Sequence, residues 1–185
     1  VKELGAKEYI SIEEVRKSVI RKFKDYRMLI GQGVIAKFNP ENYNKYIWYA
    51  KIGEGSLGGK ARGLAYLNSM LQKYNMLTKY EGMKVMIPRS IVITTEYFDW
   101  FIKNNGLQYV INSNITDAEL LSEFVSSRLP EDLSLKLRAY LETVTKPLAV
   151  RSSSKLEDSH FQPFAGIYST YMIPVTENKD QMLRL

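Results

Sequence analysis

The sequence predicts a mixed α+β domain: a small mixed sheet flanked by helices and preceded by a helical extension. Three observations carry that expectation. A helix-period run near the N-terminus stops at Gly31-Gln-Gly33, an apolar segment enters a glycine cluster that opens an amphipathic helix, and further on short β-type runs alternate with helix-period stretches. The 185 residues (21.4 kDa) suit one ordinary domain, or one and a fragment, and 45% hydrophobic residues suffice for a core.

Taken in order, Ser11-Ile-Glu-Glu14 has capping-box spacing, and Ile12, Val15, Val19, Ile20, Phe23, Tyr26 and Ile30 continue as a helix. Residues 34–46, with Asn39-Pro40, read as a linker, so residues 1–46 form an N-terminal extension and linker and 47–185 the domain proper. Tyr46 to Ile52 suits a strand entering the glycines, after which Ala61, Leu64, Ala65, Leu67, Leu71, Tyr74 and Leu77 share a helix face. Glu81-Gly82 turns the chain into Met83 to Ile87, and Ser90 to Thr94 is another strand. Thr94 or Thr95 caps a short aromatic helix over Glu96 to Asn104. A second capping box, Thr116 to Glu119, opens a helix marked by Leu120, Leu121, Phe124, Val125 and Leu129. Pro130 suits the first turn of the next, with Leu133, Leu137, Tyr140 and Leu141 inward. Short strands follow at Leu148 to Arg151 and Gly166 to Val175, and a last helix begins before Leu185.

Composition excludes several function classes. No apolar run approaches the ~20 residues of a membrane span, and VKELGAKEY lacks the features of a signal peptide, so no membrane association and a cytoplasmic location are expected. The absence of cysteine removes disulfides and thiolate metal sites, and a single histidine, His160, removes a histidine-rich centre. The net charge of +6 is concentrated in Arg16, Lys17, Arg21, Lys22, Lys24 and Arg27. Six cations in one helix read first as a wet amphipathic face, with RNA or a partner protein as the alternative; nucleic acid is not the expected partner.

The chemistry centres on Lys51 to Leu67, KIGEGSLGGKARGLAYL. Gly53, Gly55, Gly58 and Gly59 let backbone approach a ligand closely, and the helix start offers unpaired N–H groups to an anion such as phosphate. A P-loop fails on spacing, because Glu54 stands where its first glycine belongs and Ala61 follows Lys60. A dinucleotide fold wants an acid near residue 88 and meets Pro88-Arg89, which leaves only an NADP variant. No HRD-like or DFG segment supports a eukaryotic-type kinase. A glycine turn without ligand remains the bland alternative.

Four segments in order narrow this: GGKARGLAYL, IPRSIVIT, AVRSSSKLED and FAGIYST. Together they resemble the nucleotide-binding domain of the phosphoenolpyruvate synthase and pyruvate phosphate dikinase family, over about residues 52–185. The resemblance implies the first subdomain of an ATP-grasp-like domain, with ATP and Mg²⁺ as cofactors. It makes Lys60 and Arg151 the phosphate-holding cations and potential catalytic residues. Gly58, Gly59 and Ser152 complete the site with Gly166, Ile167, Tyr168, Ser169 and Thr170, the loop that closes over the nucleotide. Without ligand, Lys60 reads as a solvated lysine and Arg151 as the partner of Glu157 or Asp158; Ser152, Ser153 and Ser154 either donate to phosphate or populate a turn.

The family's pattern is not met everywhere. Arg89-Ser90-Ile91 replaces its x-Gly-Phe, and Ile167-Tyr168 stand where relatives carry glutamines. His160, in SHFQPF, is not the family's phosphate-carrying histidine and reads as a loop residue. The resemblance implies partners in a parent chain: a second ATP-grasp half carrying the metal-binding acids, a phosphohistidine domain and a pyruvate-binding barrel. In such a parent, ATP phosphorylates a carrier histidine and the group passes to pyruvate; the 185 residues alone are expected to be inactive. The alternatives are a related phosphotransferase with an antibiotic or glucan acceptor, and a non-catalytic nucleotide-sensing or partner-binding scaffold.

Overall fold

The computed structural model describes residues 11–31, 35–41, 43, 47–76, 79–83, 85–111, 113–157 and 166–184. A three-stranded parallel sheet, in the order β1 (Ile35–Lys37), β2 (Tyr49–Ile52), β3 (Ser90–Ile93), forms its centre. The register pairs Ile35 with Tyr49 and Tyr49 with Ser90. Parallel neighbours need a crossover, and between β2 and β3 that crossover contains α2 (Gly59–Lys73).

Strand alternation sends the residues of β2 to two cores. Tyr49 joins Val92, Ile87 and the α2 residues Ala61 and Ala65 on one face, and its hydroxyl donates to the Ala61 carbonyl at 2.6 Å. Burial pushes the Tyr49 phenol up to about 12. Ala50 and Ile52 face the other way, onto Phe38, Tyr97 of α3 (Thr95–Asn104), and Leu133 and Tyr140 of α6 (Glu131–Leu141). A third cluster, Ile102, Leu107 and Val110, joins α3 to α4 (Gln108–Ile111) and, through Phe124, to α5 (Asp117–Ser126). The Thr116 capping box opens α5 as the sequence predicts: Glu119 N–H donates to Thr116 Oγ1 at 3.3 Å and Thr116 N–H to Glu119 Oε2 at 2.8 Å. Strands β4 (Leu148–Val150) and β5 (Tyr171–Ile173) form a separate antiparallel ribbon. Helix α7 (Lys179–Arg184) packs on α6, where Arg138 pairs with Asp180 at 3.0 Å and Met182 is buried.

Several elements differ from expectation. The stretch read as linker contains β1, whose hydrogen bonds to β2 come from residues too distant in sequence to show as a local pattern. Of Met83 to Ile87 no described residue is in a strand, and Ile87 is a core residue instead. The last strand covers only Tyr171–Ile173 of the expected Gly166 to Val175. On α2 the inward face is Ala61, Leu64, Ala65, Asn68 and Leu71, while Leu67 and Tyr74 are exposed. Helix α1 (Ile12–Gly31) starts as expected, with Glu14 N–H donating to Ser11 Oγ at 3.3 Å, but Ile12, Phe23 and Tyr26 are exposed. On α5 only Phe124 packs inward; Leu121 and Val125 face solvent. Among the described residues no helix is long and apolar enough to cross a membrane.

Candidate functional site

The loop 53–58 leaves β2 at the carboxyl end of the sheet and is tied down on two sides. Toward β3, Thr94 N–H donates to Ile52 O at 3.0 Å, Ser56 N–H to Thr95 Oγ1 at 3.0 Å, Thr95 N–H back to Ser56 O at 3.0 Å, and Glu54 N–H to Glu96 Oε2 at 2.7 Å. Gly53, at φ +94°, sits so close to this junction that a Cβ would lie 2.2 Å from Thr94 Oγ1. Tyr97 packs beneath it and donates to Asp132 Oδ2 at 2.5 Å, while Lys136 Nζ donates to the Tyr97 oxygen at 2.7 Å. The Tyr97 hydroxyl and Lys136 ammonium both donate here, and they hold the Asp132 carboxyl below its usual range. Glu54 is drawn down to about 2 by hydrogen bonds from Lys37 and Lys51, at 2.5 and 2.9 Å.

The other side of the loop rests on the segment after β4. Gly59 N–H donates to Ser153 O at 2.8 Å and Ala61 N–H to Ser153 Oγ at 3.0 Å, while the Ser153 hydroxyl donates to Leu57 O at 2.8 Å. Ser153 therefore caps α2 from a distant part of the chain, satisfying N–H groups that a helix leaves open at its start. Gly58, at φ +80°, permits the approach: a Cβ there would stand 1.9 Å from Ser153 O. Thus the close contacts that Gly53 and Gly58 allow are made to Thr94 and Ser153.

Lys60, on the first turn of α2, forms an ion pair with Glu157; the side chains are 20% and 13% exposed. This excludes a solvated lysine. It also means that Glu157, one of the two acids weighed as partners of Arg151, is engaged by Lys60; Asp158 lies outside the described residues. Arg151 is exposed at the end of β4. Of the closing loop, Gly166 has φ +84°, Tyr168 is half-buried and its hydroxyl donates to Ser154 Oγ at 3.2 Å, and Ile167, Ser169 and Thr170 are exposed. Ser152 Oγ accepts from Ser154 N–H at 3.1 Å, a local turn. His160 and the Phe164-Ala165 start of that loop lie outside the described residues.

The structure thus brings Gly58, Gly59 and Lys60 against Ser153 and Glu157 and Tyr168 to Ser154, while Ser152 is placed in a local turn with Ser154. Sequence reasoning missed the roles of Thr95 and Glu96 in holding the loop, the capping role of Ser153, and the pairing of Glu157 with Lys60. The serine run and the Leu-Glu-Asp that follows were visible, but not which serine or which acid reaches α2. The nearby acids are spent on a cation or an N–H, and no group of three or more potential metal ligands gathers among the described residues.

A family model described as pyruvate phosphate dikinase, AMP/ATP-binding domain, matches residues 54–184. No match to a curated protein or to a solved structure was found.

Proposed function

The chain belongs to the pyruvate phosphate dikinase AMP/ATP-binding domain family, and from that premise we propose that it is the ATP-binding part of a phosphoenolpyruvate synthase-like phosphotransferase. In the proposed reaction ATP phosphorylates a carrier histidine on another domain, and the group passes to pyruvate. Lys60 and Arg151 bind the ATP phosphates, with Gly58, Gly59 and Ser152 beside them and the Gly166 to Thr170 loop over the nucleotide.

The family match over 54–184 carries this reading, and Lys60 on the first turn of a helix that follows a glycine loop suits it chemically. The residues contribute position and charge neutralisation. A lysine ammonium is a mobile point charge and an arginine a planar fork for paired phosphate oxygens. Both stabilise charge that spreads over the transferred group in the transition state.

The test is titration of MgATP against the full-length protein and its Lys60→Ala and Arg151→Ala variants. A charge-assisted contact is worth about 1.5–3 kcal/mol, so each variant is expected to bind one to two decades more weakly. Equal affinity of all three sinks the assignment of these cations to phosphate.

A further inference from the structure

The segment 153–157 already holds the two features of α2 that recognise an anion. Ser153 takes the N–H groups of Gly59 and Ala61, at 2.8 and 3.0 Å, and Glu157 takes the Lys60 ammonium. A cation on the first turn of a helix faces the positive end of its dipole, so both the ammonium and the helix end favour negative charge at this place. A carboxylate supplies it, largely out of water at 13% exposure.

We propose that Glu157 is an internal anion that competes with the nucleotide phosphate for Lys60. This rests on the reading of Lys60 as a phosphate cation. A carboxylate and a phosphate crowded onto one desolvated ammonium repel each other, so the two exchange rather than share it. The exchange weakens nucleotide binding by the work of displacing Glu157. It selects for ligands charged enough to win, and it frees the Glu157 carboxylate when the site fills.

Two measurements on the full-length protein test this. In the first, MgATP is titrated against wild type, Glu157→Gln and Lys60→Ala. Glu157→Gln is expected to bind on the order of tenfold more tightly than wild type and Lys60→Ala more weakly. Glu157→Gln binding no more tightly, with Lys60→Ala weakened, overturns the competition and leaves the phosphate-cation reading standing. Lys60→Ala binding like wild type overturns both. The second uses wild type alone and so survives a variant that fails to fold: carbodiimide labelling of Glu157 is followed by mass spectrometry with and without MgATP. Labelling is expected to rise when MgATP binds; unchanged or reduced labelling with MgATP bound overturns the proposal.

Discussion

The two sheets are built to different standards. In the parallel sheet β2 is covered on both faces, with Tyr49 and Ile52 almost wholly out of solvent. In the β4–β5 ribbon Val150, Tyr171 and Met172 are all exposed. The glycine loop springs from the first sheet and the Ser153–Glu157 segment from the second. One wall of the candidate site therefore stands on a strand packed on both faces, and the facing wall is joined to the core through Leu148 and to α2 by polar contacts. Apolar burial is worth roughly 25 cal/mol per Å², while a net hydrogen bond contributes about 1 kcal/mol. The ribbon wall is therefore expected to be the cheaper of the two to disturb.

The contrast is tested most severely by truncating one residue in each sheet. Ile52→Ala opens a cavity between β2 and α6 and is expected to cost about 2–5 kcal/mol in denaturant unfolding, whereas Val150→Ala stays within about 0.5 kcal/mol. Similar losses at the two positions would break the comparison.

A smaller effect is expected at Ser153→Ala, which removes the hydroxyl that accepts from Ala61 N–H and donates to Leu57 O. Loss of a helix cap costs about 0.5–2 kcal/mol. Hydrogen exchange should quicken at Ala61 and in the first turn of α2 while β2 stays protected; loosening spread evenly through the sheet would contradict the two-wall description.

The smallest effect concerns Glu54, whose carboxyl is held near about 2 against an ordinary 4.5 by Lys37 and Lys51. A depressed carboxyl stabilises the fold above its unfolded value, and that contribution fades as pH falls from 4.5 toward about 2. Wild type is therefore expected to lose its small advantage over Glu54→Gln across that interval, read as thermal melting against pH. A constant difference throughout would show that the lysines do not act through the Glu54 charge. Glu54 and Lys37 are well exposed and Lys51 partly so, and the difference should shrink with added salt.

What the sequence made legible follows the range of the interactions. The Thr116 capping box closes within four residues and is found as read. Helix α2 is also where its periodicity puts it, although the buried stripe runs through Asn68 and leaves Leu67 and Tyr74 outside, because tertiary contact chooses among overlapping faces. Strand β1 is three residues whose identity as a strand comes from Tyr49 to Lys51 beside it. On α5, Leu121 and Val125 fit an inward stripe by spacing, yet the helix is anchored by Phe124 alone of that set. The site divides the same way. Lys60 is visible as a cation directly after glycines, but its partner is not, since Glu157 is one of two adjacent acids and only the fold brings it to α2. Three consecutive serines hide which of them caps.

That cap also has a place in time. The Ala61 N–H and the Ser153 hydroxyl are 92 residues apart in the chain. Residues 35–93 hold all three strands of the parallel sheet and the helix that crosses over it, and they leave the ribosome well before residue 153 does. Until Ser153 is made, the N–H groups of Gly59 and Ala61 lack the partner they have in the native domain. The segment that caps the helix also carries the carboxylate that pairs with Lys60. The site cannot take its native shape before residue 153 is made, although its glycine loop is synthesised early.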